Sequence, residues 1–71
     1  MKKVIEYPTD APLSGHPLYA FVKEHRIPRF VEALAKFYEC DQADLAGKFE
    51  GDLYYVHRAT FNAAWWTMRR S

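Results

Sequence analysis

The chain has 71 residues and a formal net charge of +1, with a pI near 7.9; 49% of its residues are hydrophobic and 17% aromatic. That length allows one domain, which buries only ~60% of the surface its unfolded chain exposes, and the single cysteine, Cys40, excludes an intramolecular disulfide and suits a reducing compartment. No apolar run approaches the ~20 residues of a membrane span, and MKKVIEYPTD lacks the apolar stretch of a signal peptide, so a soluble, cytoplasmic protein is expected.

Residues 1–15 read as an extended arm. KKVIEY has the composition of a short strand and PTDAPLSG is turn chemistry. A first helix is expected from SGHPLYAFVKEHR, with Ser14 as N-cap and Pro17 in the first turn, where proline is tolerated. Leu18, Phe21, Val22 and His25 recur on one helical face. Pro28 ends that helix and opens a second, PRFVEALAKFYEC, whose apolar stripe is Phe30, Val31, Leu34, Phe37 and Tyr38. Asp41 is placed to cap a third helix, QADLAGKF, which Gly51 closes, with Asp52 capping the last segment.

That last segment, DLYYVHRATFNAAWWTMRR, reads two ways. Residues 53–61 have the aromatic and β-branched content of a strand. As a helix, Tyr54, His57, Phe61, Trp65 and Met68 form a stripe, with Arg69 and Arg70 favourably at the C-terminus. The length and NAAWWTMRR favour helix, and Tyr55, Asn62 and Trp66 then point away from that stripe. The fold class is therefore all-α: a small three- to four-helix domain, with an extended arm at 1–15, a helix-turn-helix-like unit at 16–51 and an aromatic-rich helix at 52–70.

Residues 32–51, EALAKFYECDQADLAGKFEG, have the outline of two helices meeting through a tight turn. Ala35 is the small residue such a corner needs, Leu34 and Tyr38 flank it, Cys40 comes after the turn, and Leu45 and Phe49 face inward. On these residues the segment, about 17–51 in all, resembles the helix-turn-helix regulators of the phage Cro and repressor family. The resemblance implies a dimeric, DNA-binding transcription regulator of phage or mobile-element type. Gln42, Ala43 and Lys48 would face the groove, and Arg29 and Lys36 would contact the backbone. The arm's Lys2 and Lys3 could also reach the duplex, as arms do in some families. The family usually has glycine where this chain has Glu39, since that position favours a left-handed backbone.

Charge points elsewhere. Asp41, Asp44 and Glu50 surround the third helix with Lys48 alone opposing them, whereas specific binders neutralise several phosphates with Lys and Arg and usually show a basic patch or a pI above ~9. The alternative is a protein–protein interaction module that binds and inhibits a larger host protein without touching DNA. Its contact surface, for that partner or a second copy, would be Tyr55, Trp66 and Arg70, residue types enriched in interface hot spots. His16, His25 and His57 lack metal-site spacing, the glycines form no phosphate loop, and no nucleophile–base pair can be placed. Neither an enzyme nor a cofactor is expected.

Overall fold

The computed structural model describes residues 2–47 and 49–70, and all regular structure among them is helical. A 3-10 turn at Leu13–Gly15 leads into α1 (Pro17–His25); α2 (Phe30–Phe37), α3 (Gln42–Leu45) and α4 (Gly51–Arg70) complete the order. The 53–61 stretch is thus helix, because it lies inside a 20-residue element whose buried side is Val56, His57, Thr60, Phe61 and Ala64. None of the described helices is long and apolar enough to cross a membrane.

The first helix starts differently from expectation. Ser14 lies inside the 3-10 turn, and the N-cap is His16, whose Nδ1 accepts the Leu18 N–H at 3.0 Å. α1 then ends on Arg26, a left-handed residue with φ 54. α2 begins at Phe30 rather than Pro28, because Arg29 is extended (φ -104, ψ 127) and serves as its N-cap. Val31, expected on the apolar stripe, is 45% exposed. The buried spacing is Phe30, Ala33, Leu34 and Tyr38, and a residue one step after Phe30 is turned ~100° from it on a 3.6-residue period.

The turn after α2 is a Schellman closure: Cys40 N–H reaches the Ala35 carbonyl at 2.9 Å and Glu39 N–H that of Lys36 at 3.3 Å. It holds Glu39 at φ 55, the left-handed conformation for which glycine is favoured. A side chain there costs about 1–2 kcal/mol, and the exposed Lys2–Glu39 ion pair, 3.3 Å, returns little of it. In urea titrations Glu39→Gly should therefore stabilise the domain by about 0.5–1 kcal/mol, while Glu39→Ala should stabilise nothing. A Gly variant less stable than the Ala variant would show that this turn carries no strain.

The third helix is much shorter than QADLAGKF. It is one turn, Gln42–Leu45; Ala46 is extended and Gly47 has φ 75. Asp41 occupies its N-cap position without a side-chain hydrogen bond. Gly51 does not close the unit but starts α4, with φ 58, and Asp52 sits in that helix's first turn.

Candidate functional site: a groove at the helical corner and the outer face of α4

α2, α3 and the start of α4 enclose an apolar groove of about 300 Å³. Its floor is the buried Phe30, Leu34 and Leu45; its walls are the exposed Val31 and Tyr54, the latter 39% exposed, with Phe49 beside them. Tyr54 meets Phe30 edge-on at 5.7 Å. Gln42 stands on the lip and is shared with an adjoining depression that also contains Arg29, Glu32 and Arg58. Arg58 reaches there from α4 by lying over the Phe30 ring, 5.1 Å from its centroid. Two guanidinium groups against one carboxylate make this end of the groove cationic.

Among the described residues, the expected DNA-contacting side chains line different depressions. Arg29 and Gln42 meet at the groove, and Ala43 is exposed on α3. Lys36 instead shares a depression with Glu39, Cys40 and Asp41. Lys2 is held at the arm by Glu39, and its backbone N–H donates to the Tyr38 carbonyl at 3.0 Å. Lys3 lies farther along the arm beside Val4, Ile5 and Glu6. Lys48 lies outside the described residues.

Of the expected partner-contacting residues, Trp66 and Arg70 are in contact, and Tyr55 lies on the same side of α4 about three turns away. Tyr55 and Trp66 are 70% and 61% exposed on the side of α4 opposite its buried face. The Arg70 guanidinium stacks over Trp66 at 5.7 Å. Their neighbours turn inward: Trp65 Nε1–H donates to the Ile27 carbonyl at 3.2 Å. Sequence reasoning missed Val31, Tyr54 and Arg58 as site residues. The signal for Val31 was present in the chain, since it breaks the Phe30–Ala33–Leu34 spacing; Arg58 depends on a ring brought from another helix.

A buried polar cluster stands behind these surfaces. His57 Nδ1–H donates to the Leu53 carbonyl at 2.8 Å, which leaves Nε2 to accept the Tyr38 O–H at 2.6 Å. Tyr38 Oη accepts the Ile5 N–H at 3.2 Å, tying the arm to the core. His16 spends Nδ1 on its own helix, so its proton sits on Nε2, a buried atom without a hydrogen-bond partner. Its ring lies 5.0 Å from that of His57 and 4.9 Å from that of Tyr7. Burial, then the neighbouring His57, lowers the His16 pKa to about 4; burial also lowers that of His57 and raises that of Tyr38. Shut away from solvent, the two imidazoles are neutral parts of the core and are not placed to exchange protons with a bound molecule. Among the described residues no group of three His, Cys, Asp or Glu is placed to hold a metal ion.

Comparison with known proteins adds no relative. No family model, curated protein or solved structure matches the chain.

Proposed function

We propose that this protein is an interaction module that binds and modulates a larger partner protein. The observation that carries the reading is the groove between α2, α3 and α4: exposed Val31 and Tyr54 over a buried apolar floor, with Arg29 and Arg58 at one end. Its complement is a partner segment that offers an apolar side chain next to a carboxylate. The apolar anchor would supply affinity, and the Arg pair orientation, as interface cores and charged rims do elsewhere.

A DNA-reading role for the same corner has one observation in its favour, the meeting of Arg29, Gln42 and Arg58 on one surface. Against it, α3 spans about 6 Å along its axis at 1.5 Å per residue, too short to present several residues along a major groove. Asp41 at its N-cap position and Asp44 within it, both exposed, would face phosphate.

One experiment weighs the two readings. A photo-crosslinker at position 31 identifies the bound protein in a host extract, and binding is then measured with the purified partner. Val31→Arg should weaken that complex on the order of 10-fold or more without loss of helicity, and random duplex DNA should not bind at low salt. Duplex binding that falls steeply with salt and is lost in Arg29→Ala would overturn the proposal in favour of DNA.

A further inference from the structure

The outer face of α4 has a pattern separate from the groove. Asp52, Tyr55, Ala59, Asn62, Trp66 and Arg69 are spaced three, four, three, four and three residues apart, the a/d spacing of a helix that pairs with another. None of the six is buried, and the helix's own core contacts lie on its opposite side. At 1.5 Å per residue the stripe runs about 25 Å, nearly the whole helix. Most surface helices have a polar stripe there; this one has a Tyr and a Trp.

We propose that this stripe pairs with the same stripe of a second copy of the chain, antiparallel, about a two-fold axis level with Thr60 and Phe61. The proposal rests on reading the chain as an interaction module, and it assigns the second surface of that module. In this register Tyr55 packs on the second copy's Trp66, and Ala59 faces the second copy's Asn62. At the ends, Asp52 meets the second copy's Arg69. All three pairings occur twice, as two-fold symmetry requires. No other orientation does this. A parallel pair would set Asp52 against Asp52 and Arg69 against Arg69.

Each position suits its place. Asp52 and Arg69 form no ion pair among the described residues, so both charges are available at the ends of the seam. Ala59 and Ala63 on that side are small enough for the axes to approach within the usual 8–10 Å. Arg58, the cation flanking the middle, is drawn over Phe30 and away from the seam. Trp66 remains 61% exposed with the Arg70 guanidinium 5.7 Å from its ring centroid, so ring surface is open to the incoming Tyr55. Asn62, near the centre, is the kind of polar residue that fixes register at some cost in stability.

The test is a charge exchange read by sedimentation equilibrium. Asp52→Arg alone and Arg69→Asp alone each turn two attractions into two repulsions, and each should weaken self-association about 10-fold. The double exchange, Asp52→Arg with Arg69→Asp, restores opposite charges in the antiparallel register and should return the dissociation constant to within about threefold of the original chain. Trp66→Ala should weaken it about 100-fold, because the ring is lost on both sides of the seam, and Asn62→Leu should strengthen it. All these positions face outward, so circular dichroism should be unchanged. A chain that stays monomeric at the highest attainable concentration overturns the proposal, and so does a double exchange no tighter than the single ones. The groove variant Val31→Arg should leave self-association intact, so failure of the dimer and failure of partner binding would be told apart.

Discussion

Replacing Tyr38 by Ala is expected to unfold most of the population at 25 °C. The ring is 1% exposed at the junction of the arm, α2 and α4, in contact with the rings of Phe37, Phe49 and His57. Large aromatic-to-alanine changes in cores cost about 3–5 kcal/mol, and a single core of this size rarely supplies more than about 3–5 kcal/mol in total. Tyr38→Phe separates packing from hydrogen bonding. It keeps the ring but removes the acceptor of the Ile5 N–H and the donor to His57 Nε2. Leaving such buried groups unsatisfied costs about 1–3 kcal/mol. Urea denaturation gives the energy and amide exchange gives the location: Ile5 should lose protection, while Lys2 keeps its backbone bond to the Tyr38 carbonyl. A Phe variant as stable as the original chain would mean that the hydroxyl does not tie the arm to the core.

Acidification below pH 6.5 should destabilise the domain through its two buried histidines. His16 and His57 are neutral in the folded state, and both have pKa values lowered from 6.5 by burial. Above pH 6.5 neither state takes up a proton at these sites, so stability is level there. Below 6.5 the unfolded chain binds protons that the folded chain refuses, and stability falls. For His16 the loss is complete once the pH passes its folded value of about 4. That interval corresponds to about 3 kcal/mol, with His57 adding to it in the same direction. His16→Asn keeps a side-chain acceptor for the Leu18 N–H and removes one titrating group. Its stability should decline less steeply between pH 6.5 and 4, as read from thermal melts in a pH series. An unchanged slope in that variant would show that His16 is not the group being protonated.

The two surfaces and this core are physically linked. Tyr38 and His57 set the arm and α4 against α2, and α4 in turn carries Tyr54 and Arg58 into the groove and the Tyr55–Trp66 stripe to the outside. Disturbing the cluster should therefore weaken both surfaces together. Substitutions on the groove or on the stripe should leave the core alone. That contrast separates loss of fold from loss of contact in every variant of the groove, the stripe and the core.

Periodicity located the first two helices, because a 3.6-residue repeat of apolar side chains is a local property of the chain, while the last segment was decided for helix by its length and composition. The same repeat identified Leu18, Val22, Leu34, Tyr38 and Phe61 as inward-facing, and Tyr55 and Trp66 as outward-facing on the last helix, but it also placed His25, Val31 and Tyr54 on the inward stripes, and these are exposed. The left-handed backbone at Glu39 was expected only from the helix-turn-helix resemblance, whose turn usually has glycine at that position. Other features were settled only by tertiary contact. α3 stops after one turn as the chain passes through an extended Ala46 and a left-handed Gly47 to reach α4. The capping role of His16 went to a residue that no propensity rule favours, because the same ring packs between Tyr7 and His57. The groove exists only where three helices bring Val31, Gln42, Tyr54 and Arg58 to one place. Those residues are up to 27 positions apart. A local pattern specifies which way a side chain points along its own helix, and the packing of whole helices decides what it meets there.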